Sequence, residues 1–364
     1  MAGHFFLAIF LACTLPSRII AQQSVLPWLE SIGAREKTAG IQTISGDASV
    51  TVSDGLTYSI TTVFHDPQRA LWRRVYADRT VTQGVEGLYI WTYEDHVETE
   101  ALPFVREVIL GHQFQAQILF FDRIHHPAGT TKQSRFAGQE CMVLESEDVD
   151  SPWRFYYDSN GHPLGMEKVR KEQANISFQF DDWRRVSGIL LPFTVFIDDG
   201  DRKFQYRYSS IKFNEGSMSD LRAPEEVLTD EQKLLRLHRI AMDDHWFGRT
   251  AGIRSVRSDS MVILSDGDVY TMTGEEFDAA LDRIMKSRDY TVYDDLIRPI
   301  VTISEDGTLG WVIAHISAEG IRFDSSGVPN APLAFVTAWV ELYEKAQGQW
   351  RLTGNVANFR PGRK

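Results

Sequence analysis

The sequence has very few cysteines. Its 364 residues contain two, Cys13 and Cys141, and Cys13 falls in an N-terminal apolar run. If that run is removed, Cys141 is left without a partner for an intrachain disulfide. Cys141 stands between Glu140 and Met142 in a predicted strand, with no basic neighbour to stabilise a thiolate. We therefore interpret it as a packed, unreactive thiol.

Long hydrophobic runs are also missing. The apolar run from Phe5 to Leu15 is too short to cross a bilayer. Ala21, just before Gln22 and Gln23, is a candidate cleavage site, so residues 1–22 are predicted to be a secretory signal peptide. No other segment is apolar enough to span a membrane. We expect an exported protein that is soluble after signal removal, with the bacterial periplasm as the simplest location.

Positive charge is scarce as well, since the net charge is -12. A nucleic-acid partner is not expected, because binding phosphates needs a basic surface. Electrostatic docking on anionic lipid is disfavoured for the same reason.

Motifs for cofactors, metals and nucleophilic catalysis are not found. The chain has no nucleophile elbow, phosphate loop or dinucleotide fingerprint. His125 and His126 are adjacent and lack further ligands at metal spacing, and the Asp-rich turn at residues 198–201 lacks the terminal Glu of a calcium loop. We expect no metal and no cofactor.

A long alternating segment dominates what is present. From residue 153 to 213, apolar residues recur at every second position, and turns such as Asn160-Gly161 separate the runs. This spacing predicts an antiparallel meander with no room for crossover helices. The face is rich in aromatic rings, which favours a curved sheet around something bulky, although rings that simply fill a core are the better explanation of each position taken alone. The alternating sets are Ile176, Phe178, Phe180; Leu191, Phe193, Val195, Ile197; and Phe204, Tyr206, Tyr208.

Two earlier segments have helical spacing. Residues 24–37 predict a short N-terminal helix. Residues 104–121 predict an apolar helix interrupted at Gly111, with Phe104, Val108, Gln115, Ile118 and Leu119 on one face. A helix this apolar is expected to plug the concave side of the curved sheet.

This order of elements resembles the periplasmic lipoprotein carriers of the LolA/LolB type over residues 28–216. Those proteins are incomplete β-barrels whose helices cover an apolar cavity for acyl chains. By this resemblance, residues 23–216 form a lipid-binding half-barrel, with ligand contacts predicted at Phe114, Ile118, Phe155, Phe178 and Phe193. This chain differs from that family because the half-barrel is fused to a second domain. We therefore still expect an apolar cargo, but not a lipoprotein. The segments that carry the resemblance are Trp72-Arg73-Arg74, Gly87-Leu88-Tyr89-Ile90-Trp91, Phe155-Tyr156-Tyr157-Asp158 and Leu191-Pro192-Phe193.

After a predicted linker at residues 217–228, the pattern changes to helices followed by long strands. Thr229 with Gln232 and Thr273 with Glu276 have capping-box spacing at two helix starts. Four long strands are predicted near residues 293–304, 309–319, 333–345 and 350–358, an α+β arrangement. The linker has no apolar periodicity, so few contacts are expected to anchor it.

Residues 229–360 resemble the SnoaL-like and ketosteroid-isomerase-like cone, a nuclear transport factor 2-like fold. That family wraps a bent sheet and helices around one apolar pocket and includes isomerases, cyclases and members without known catalysis. The predicted fold class is therefore α+β: a curved antiparallel half-barrel covered by helices, followed by an α+β cone with a bent antiparallel sheet. The matching pieces are Glu231-Gln232-Lys233-Leu234-Leu235, Leu264-Ser265-Asp266-Gly267, Asp294-Asp295-Leu296, Gly310-Trp311-Val312-Ile313 and Trp350-Arg351-Leu352.

Several polar side chains are candidates for the interior of the cone. An isomerase or lyase of this fold needs a carboxylate base and a donor for a developing oxyanion, which Asp295 and Tyr270 could supply. Asp294 and Asp295 are equally well explained as a polar pair at a strand start. For a bound ligand, Trp246 and His315 are the predicted contacts, and His238 and His245 are further lining candidates.

We therefore expect an exported two-domain protein that binds a lipid or another hydrophobic small molecule, and we favour a non-catalytic carrier. Two alternatives stay open. One is an isomerase or cyclase acting by proton transfer in the cone. The other is an assembly module that forms a homodimer through the open sheet face of the C-terminal domain.

Overall fold

A computed structural model describes residues 26–125, 127–147, 152–171, 173–215, 221–265, 267–324 and 326–359. The chain divides after Thr229 into two compact units. The predicted signal peptide, residues 1–22, lies outside the described residues. In the part of the chain that is described, no helix combines the length and the apolar character needed to cross a bilayer.

The first unit is built on one large antiparallel sheet. Strands β1 to β6 form one meander and β7 to β13 another, and the pairing of β1 with β13 joins them into thirteen strands within the described residues. The strands are β1 (Ile44–Val52), β2 (Thr57–Asp66), β3 (Arg69–Val75), β4 (Thr80–Glu86), β5 (Tyr89–Glu94), β6 (Val97–Glu100), β7 (Pro127–Phe136), β8 (Gln139–Ser146), β9 (Trp153–Tyr157), β10 (Pro163–Lys168), β11 (Ile176–Val186), β12 (Ile189–Asp198) and β13 (Lys203–Phe213).

The alternating residues predicted from the sequence share one face of this sheet, which we call the inner face. Leu191, Val195 and Ile197 are buried in a single hydrophobic core together with Tyr206 and Tyr208. The period of two is thus confirmed as the signal that sorts side chains between the two faces.

Two helices, α1 (Phe104–Gly111) and α2 (Phe114–His125), connect the two edge strands β6 and β7 and pack on the inner face. Gly111 ends α1 beside Trp153, whose ring would lie 3.2 Å from an added Cβ atom. The predicted single helical face is wrong in its first half, because the break at His112 and Gln113 changes the phase. Phe104 is 62% exposed and Val108 is 37% exposed.

The buried residues of α1 are instead Val105 and Ile109, whereas Gln115, Ile118 and Leu119 of α2 are buried as predicted. The apolar residues of α1 therefore lie on two sides of the helix: one side is buried on the inner face and the other is exposed.

The predicted N-terminal helix is also wrong within the described residues, because residues 26–37 form consecutive turns. Gly33 has a φ of +72°, a left-handed value that stops a helix from continuing. The turns serve to place Trp28, which has no exposed surface and donates a hydrogen bond from Nε1 to the Ile118 carbonyl at 2.7 Å.

The described end of the predicted linker is held against the first unit. The Leu221 carbonyl accepts a hydrogen bond from Arg73 Nη2 at 3.3 Å, and Arg222 Nε lies 3.1 Å from Glu86 Oε1. Arginine side chains make these contacts. The prediction of few contacts considered only apolar periodicity, which does not detect them.

The second unit begins at Asp230 with α3. Its sheet has seven strands among the described residues, in the order β15-β14-β20-β19-β18-β16, with β17 also paired to β18. Thr273 and Glu276 form the predicted capping box at the start of α5. The elements are α3 (Asp230–Trp246), α4 (Ala251–Val256), α5 (Gly274–Lys286), β14 (Arg257–Ser265), β15 (Asp268–Thr273), β16 (Arg288–Asp295), β17 (Ile300–Ile303), β18 (Leu309–Phe323), β19 (Pro329–Ala346) and β20 (Gln349–Phe359).

The first of the four predicted long strands is two strands. Asp295 ends β16 and Ile300 begins β17, and both strands pair with β18. Pro299 lies between them and has no N–H to donate to a ladder, which fits an interruption at this point. Apart from the parallel pairing of β14 with β20, the pairs are antiparallel.

Candidate functional sites

His112 occupies the break between α1 and α2 and is surrounded by aromatic rings. Its ring centroid lies 4.9 Å from that of Trp72, 5.8 Å from those of Phe114 and Tyr206, and 6.3 Å from that of Phe178. His112 nevertheless keeps part of its surface accessible. We call this half-buried histidine, together with the four rings around it, the His112 recess.

The imidazole of His112 is neutral near pH 7. Burial lowers the pKa of His112 to about 4, against a smaller opposing effect of the Val108 carbonyl. Nδ1 lies 2.7 Å from that carbonyl and donates to it in the neutral ring. This tautomer leaves Nε2 as an acceptor, and the histidine adds no charge to the recess.

Polar groups on the inner face lie near the same recess. Arg74 stacks over the Trp72 ring at 4.6 Å and donates from Nη2 to Gln83 Oε1 at 2.6 Å. The Tyr206 hydroxyl interacts with the hydroxyl of Tyr58. Burial raises the pKa of both tyrosines, so both hydroxyls stay protonated at neutral pH. The recess is therefore mainly aromatic, with a small polar group at one side.

The five predicted ligand contacts of the first unit fall into two groups. Phe114 and Phe178 pack against each other at 5.9 Å and both face His112, so they border the recess. Phe155 stacks on Trp28 with ring centroids 3.8 Å apart, and Ile118 beneath it has no exposed surface. Phe193, 8% exposed, belongs to the same core.

All five side chains are buried in one core, Phe114 and Phe178 as fully as Phe155 and Ile118, and the two groups differ only in their contact with His112. His112, Arg74 and Tyr58 were not predicted as site residues. Arg74 could have been found, because it alternates with Ala70 and Trp72 on a strand whose apolar residues face inward.

The helix pair is held over the inner face by buried glutamines. Gln113 Nε2 donates to the Leu71 carbonyl at 3.2 Å, and Gln117 Nε2 donates to the Leu110 carbonyl at 2.7 Å. The first contact joins the break between the helices to strand β3, and the second joins α2 to the end of α1.

In the second unit, His238 of α3 lies between two carboxylates. Nδ1 is 2.9 Å from Glu341 Oε1 and Nε2 is 3.2 Å from Asp295 Oδ1. Glu341 also accepts hydrogen bonds from Trp339 Nε1 at 2.9 Å and from the Tyr343 hydroxyl at 2.8 Å. The side chains of His238, Asp295 and Glu341 are 2%, 3% and 4% exposed. These three residues form a buried ionic cluster.

Burial alone would lower the pKa of His238, but the charges of Glu341 and Asp295 outweigh it and raise this pKa to about 10. Burial acts to raise the pKa of Glu341, and His238 outweighs it, so that this pKa lies below its ordinary value. His238 is therefore an imidazolium at neutral pH with both N–H groups engaged. In this state it has no lone pair with which to accept a proton from a substrate.

The predicted base and donor, Asp295 and Tyr270, are not brought together. Asp295 ends β16 at one end of the strand order and is bonded to His238. Tyr270 lies on β15 at the other end, is 43% exposed and donates to Asp268 at 3.2 Å. Proton-transfer catalysis by this pair has no geometric support.

The predicted ligand contacts Trp246 and His315 lie on different sides of the second sheet. Trp246 is partly buried against a cluster that includes Ala314 and Ile316. His315 stands between these two fully buried residues on β18, so its side chain points to the opposite face. His245, rather than His315, shares the side of Trp246.

His245 stacks on Tyr293 with ring centroids 4.7 Å apart and planes 1° apart. Burial lowers the pKa of His245 to about 4, while part of its surface stays accessible. His245 is thus a neutral, half-buried histidine stacked on an aromatic ring, as His112 is in the first unit.

No family model matches the chain, and no curated protein matches it. Solved structures match each part separately. A LolA superfamily protein from Nitrosomonas europaea is 14% identical and covers 57% of this chain and 98% of its own, with a TM-score of 0.40. A DUF1329 family protein from Desulfovibrio piger is 14% identical and covers 57% of this chain and 99% of its own, with a TM-score of 0.38.

An NTF2-like protein from Cytophaga hutchinsonii is 13% identical and covers 36% of this chain and 100% of its own, with a TM-score of 0.30. The matches thus include a LolA superfamily protein and an NTF2-like protein, the two kinds of fold that the two halves of the sequence resemble.

Proposed function

We propose that this protein binds a hydrophobic ligand, such as a lipid or a free acyl chain, in the His112 recess, and that it acts as a carrier without catalysing a reaction. The observation that carries the proposal is the half-buried His112, whose ring is bordered by those of Trp72, Phe114, Phe178 and Tyr206. In this proposal, residues 23–216 are a half-barrel for the ligand and residues 229–360 are a cone that supports it or binds a second apolar molecule.

The outer side of α1 supports a role in transfer. Leu102, Phe104 and Val108 are 65%, 62% and 37% exposed, although the opposite side of the same helix is buried. Adjacent exposed apolar side chains are a common feature of surfaces that meet another apolar surface. On a helix that also borders the recess, they offer a contact for the donor or acceptor of the ligand.

The energetics of an acyl chain suit a site with few polar groups. Each methylene that leaves water contributes about 0.8 kcal/mol, so even a chain of modest length binds without a network of hydrogen bonds. Titration of the full chain with a fluorescent long-chain fatty acid tests the proposal. We expect saturable binding in the micromolar range or tighter, and no saturable binding by the folded protein would contradict it.

Export belongs to the same proposal. We expect the mature protein, isolated from its own host, to begin near Gln22, because Ala21 is the candidate cleavage site. Intact-mass analysis of the isolated protein measures this. A cytosolic chain that retains Met1 would remove the periplasmic assignment without affecting ligand binding. Homodimerisation through the second sheet stays a prediction.

A further inference from the structure

We propose that the ligand of the His112 recess carries one negative charge at one end, as a long-chain carboxylate does, and that Arg74 binds this charged end. The inference rests on the proposed function and adds the chemical class of the ligand. It makes Arg74 a binding residue and assigns the acyl chain to the aromatic part of the recess.

The Arg74 guanidinium lacks a negatively charged partner among the described residues. Its Nε is buried and has no hydrogen-bond partner. Its Nη2 bonds to the neutral oxygen of Gln83, which also accepts from Trp72 Nε1 at 3.0 Å. Within the described part of the chain, Arg74 forms no ion pair. A partly buried cation whose partners are all neutral is unusual, since desolvating a charge is costly unless an opposite charge compensates it.

Arg74 lies on the inner face of the first sheet. On β3 it alternates with Trp72 and Ala70, both of which belong to the core of the inner face. On β2 its direct neighbour across the ladder is Ile60, which belongs to the same core. The guanidinium is thus on the side of the sheet that holds His112, and its charge contributes to lowering the pKa of His112.

Hydrogen-bond donors accompany Arg74. Tyr58 and Tyr206 are protonated at neutral pH because burial raises the pKa of each, and they are hydrogen-bonded to each other, so one O–H group of the pair is left to donate. This hydroxyl and the guanidinium together match a carboxylate, which accepts several hydrogen bonds. Neutral His112 contributes an acceptor and no charge.

The count of charges selects a monoanion. Arg74 supplies one positive charge. Arg202 and Asp199 add opposite charges nearby, since the charge of Arg202 acts on Tyr58 to lower its pKa and that of Asp199 acts on His112 to raise its pKa, so the two offset each other. One net positive charge compensates a carboxylate, whereas a phosphate monoester would keep an uncompensated charge.

The experiment is displacement of a neutral fluorescent probe from the full chain by dodecanoic acid, 1-dodecanol and dodecyl phosphate, at a pH at which the acid is ionised. For the wild type we expect the acid to bind roughly tenfold to a hundredfold more tightly than the alcohol, as expected for a hydrogen-bonded charge, and at least as tightly as the phosphate. In Arg74→Gln the acid should lose this advantage while the alcohol keeps its affinity.

Arg73→Gln is the matched control. Arg73 is the neighbouring arginine, and its side chain bonds to Thr82 and to the Leu221 carbonyl instead of the groups around His112. This variant should keep the preference for the acid. Arg74→Lys keeps the positive charge and should therefore keep part of the preference for the acid. This variant replaces Arg74→Gln in the test if Arg74→Gln does not fold.

Equal binding of acid and alcohol by the wild type would overturn the inference and leave the proposed apolar site intact. Tighter binding of the phosphate than of the acid would overturn the inference that the ligand carries a single negative charge. Failure of all three compounds to displace the probe, with no direct binding of a fluorescent fatty acid, would overturn the proposed function and the inference with it.

Discussion

Replacement of His238 by leucine is expected to lower the free energy of unfolding of the second unit by about 3–5 kcal/mol, the usual effect of removing one partner from a buried ion pair. The substitution would leave Glu341 and Asp295 facing each other in a site where their side chains are 4% and 3% exposed. Trp339 and Tyr343 would still donate to Glu341, but neither carries a compensating charge.

Urea unfolding followed by circular dichroism measures the effect. His245→Leu is the matched control, because His245 lies on the same helix and is neutral, with its Nδ1 bonded to the Ala241 carbonyl at 2.8 Å. We expect this control to cost clearly less, about 1–2 kcal/mol. Equal losses in the two variants would mean that the charge of His238 contributes nothing beyond packing.

The stability of the second unit should also depend on pH with a defined sign. The pKa of His238 is raised to about 10 in the folded state, from about 6.5 in an unfolded chain. Its contribution is therefore complete below about pH 6.5 and is lost as the pH rises through about 10. The difference in unfolding free energy between wild type and His238→Leu should shrink over that interval, and a difference that grows with pH would contradict the assignment.

Replacement of His112 by tryptophan is expected to weaken binding of a fluorescent fatty acid at least about tenfold, with little change in the melting temperature. The indole is larger than the imidazole and would fill the space that we assign to the acyl chain. The neighbouring rings are Trp72, Phe114, Phe178 and Tyr206, and His112 is half-buried, so we expect the larger aromatic ring to be accommodated on the partly exposed side. Each two displaced methylenes correspond to about 1.6 kcal/mol, more than a factor of ten in affinity.

His162→Trp is the matched control for this experiment. His162 is also partly exposed, lies 4.5 Å from the Trp183 ring, and has a pKa lowered by burial. It does not belong to the His112 recess, so binding should be unchanged. Loss of binding in both variants, or in neither, would remove the recess as the binding site.

Local patterns predicted much of the first unit. A period of two suffices to assign Leu191, Phe193 and Val195 to one face, since strand geometry alone fixes the alternation. The helix at residues 104–121 was harder, because Gly111 signals an interruption but not the change of helical phase that the two residues after it produce. Phe104 and Val108 were placed on the wrong side for that reason.

The chemistry of the second unit depends on contacts that local patterns do not contain. His238 and Glu341 are 103 residues apart in the chain and meet only because α3 packs against the second sheet. The order of strands, which separates Tyr270 from Asp295, likewise follows from pairing between distant segments. A sequence pattern can nominate such polar residues, but their partners are set by tertiary structure.

Photo-crosslinking tests most directly the central claim that an acyl chain occupies the His112 recess. The full chain would be irradiated with a fatty acid that carries a diazirine near its methyl end, digested, and mapped by mass spectrometry. We predict labelling of the peptides that contain Phe114, Phe178 or Tyr206, suppressed by an excess of unlabelled fatty acid. Labelling confined to residues 230–359, or labelling that unlabelled fatty acid does not suppress, would contradict the account.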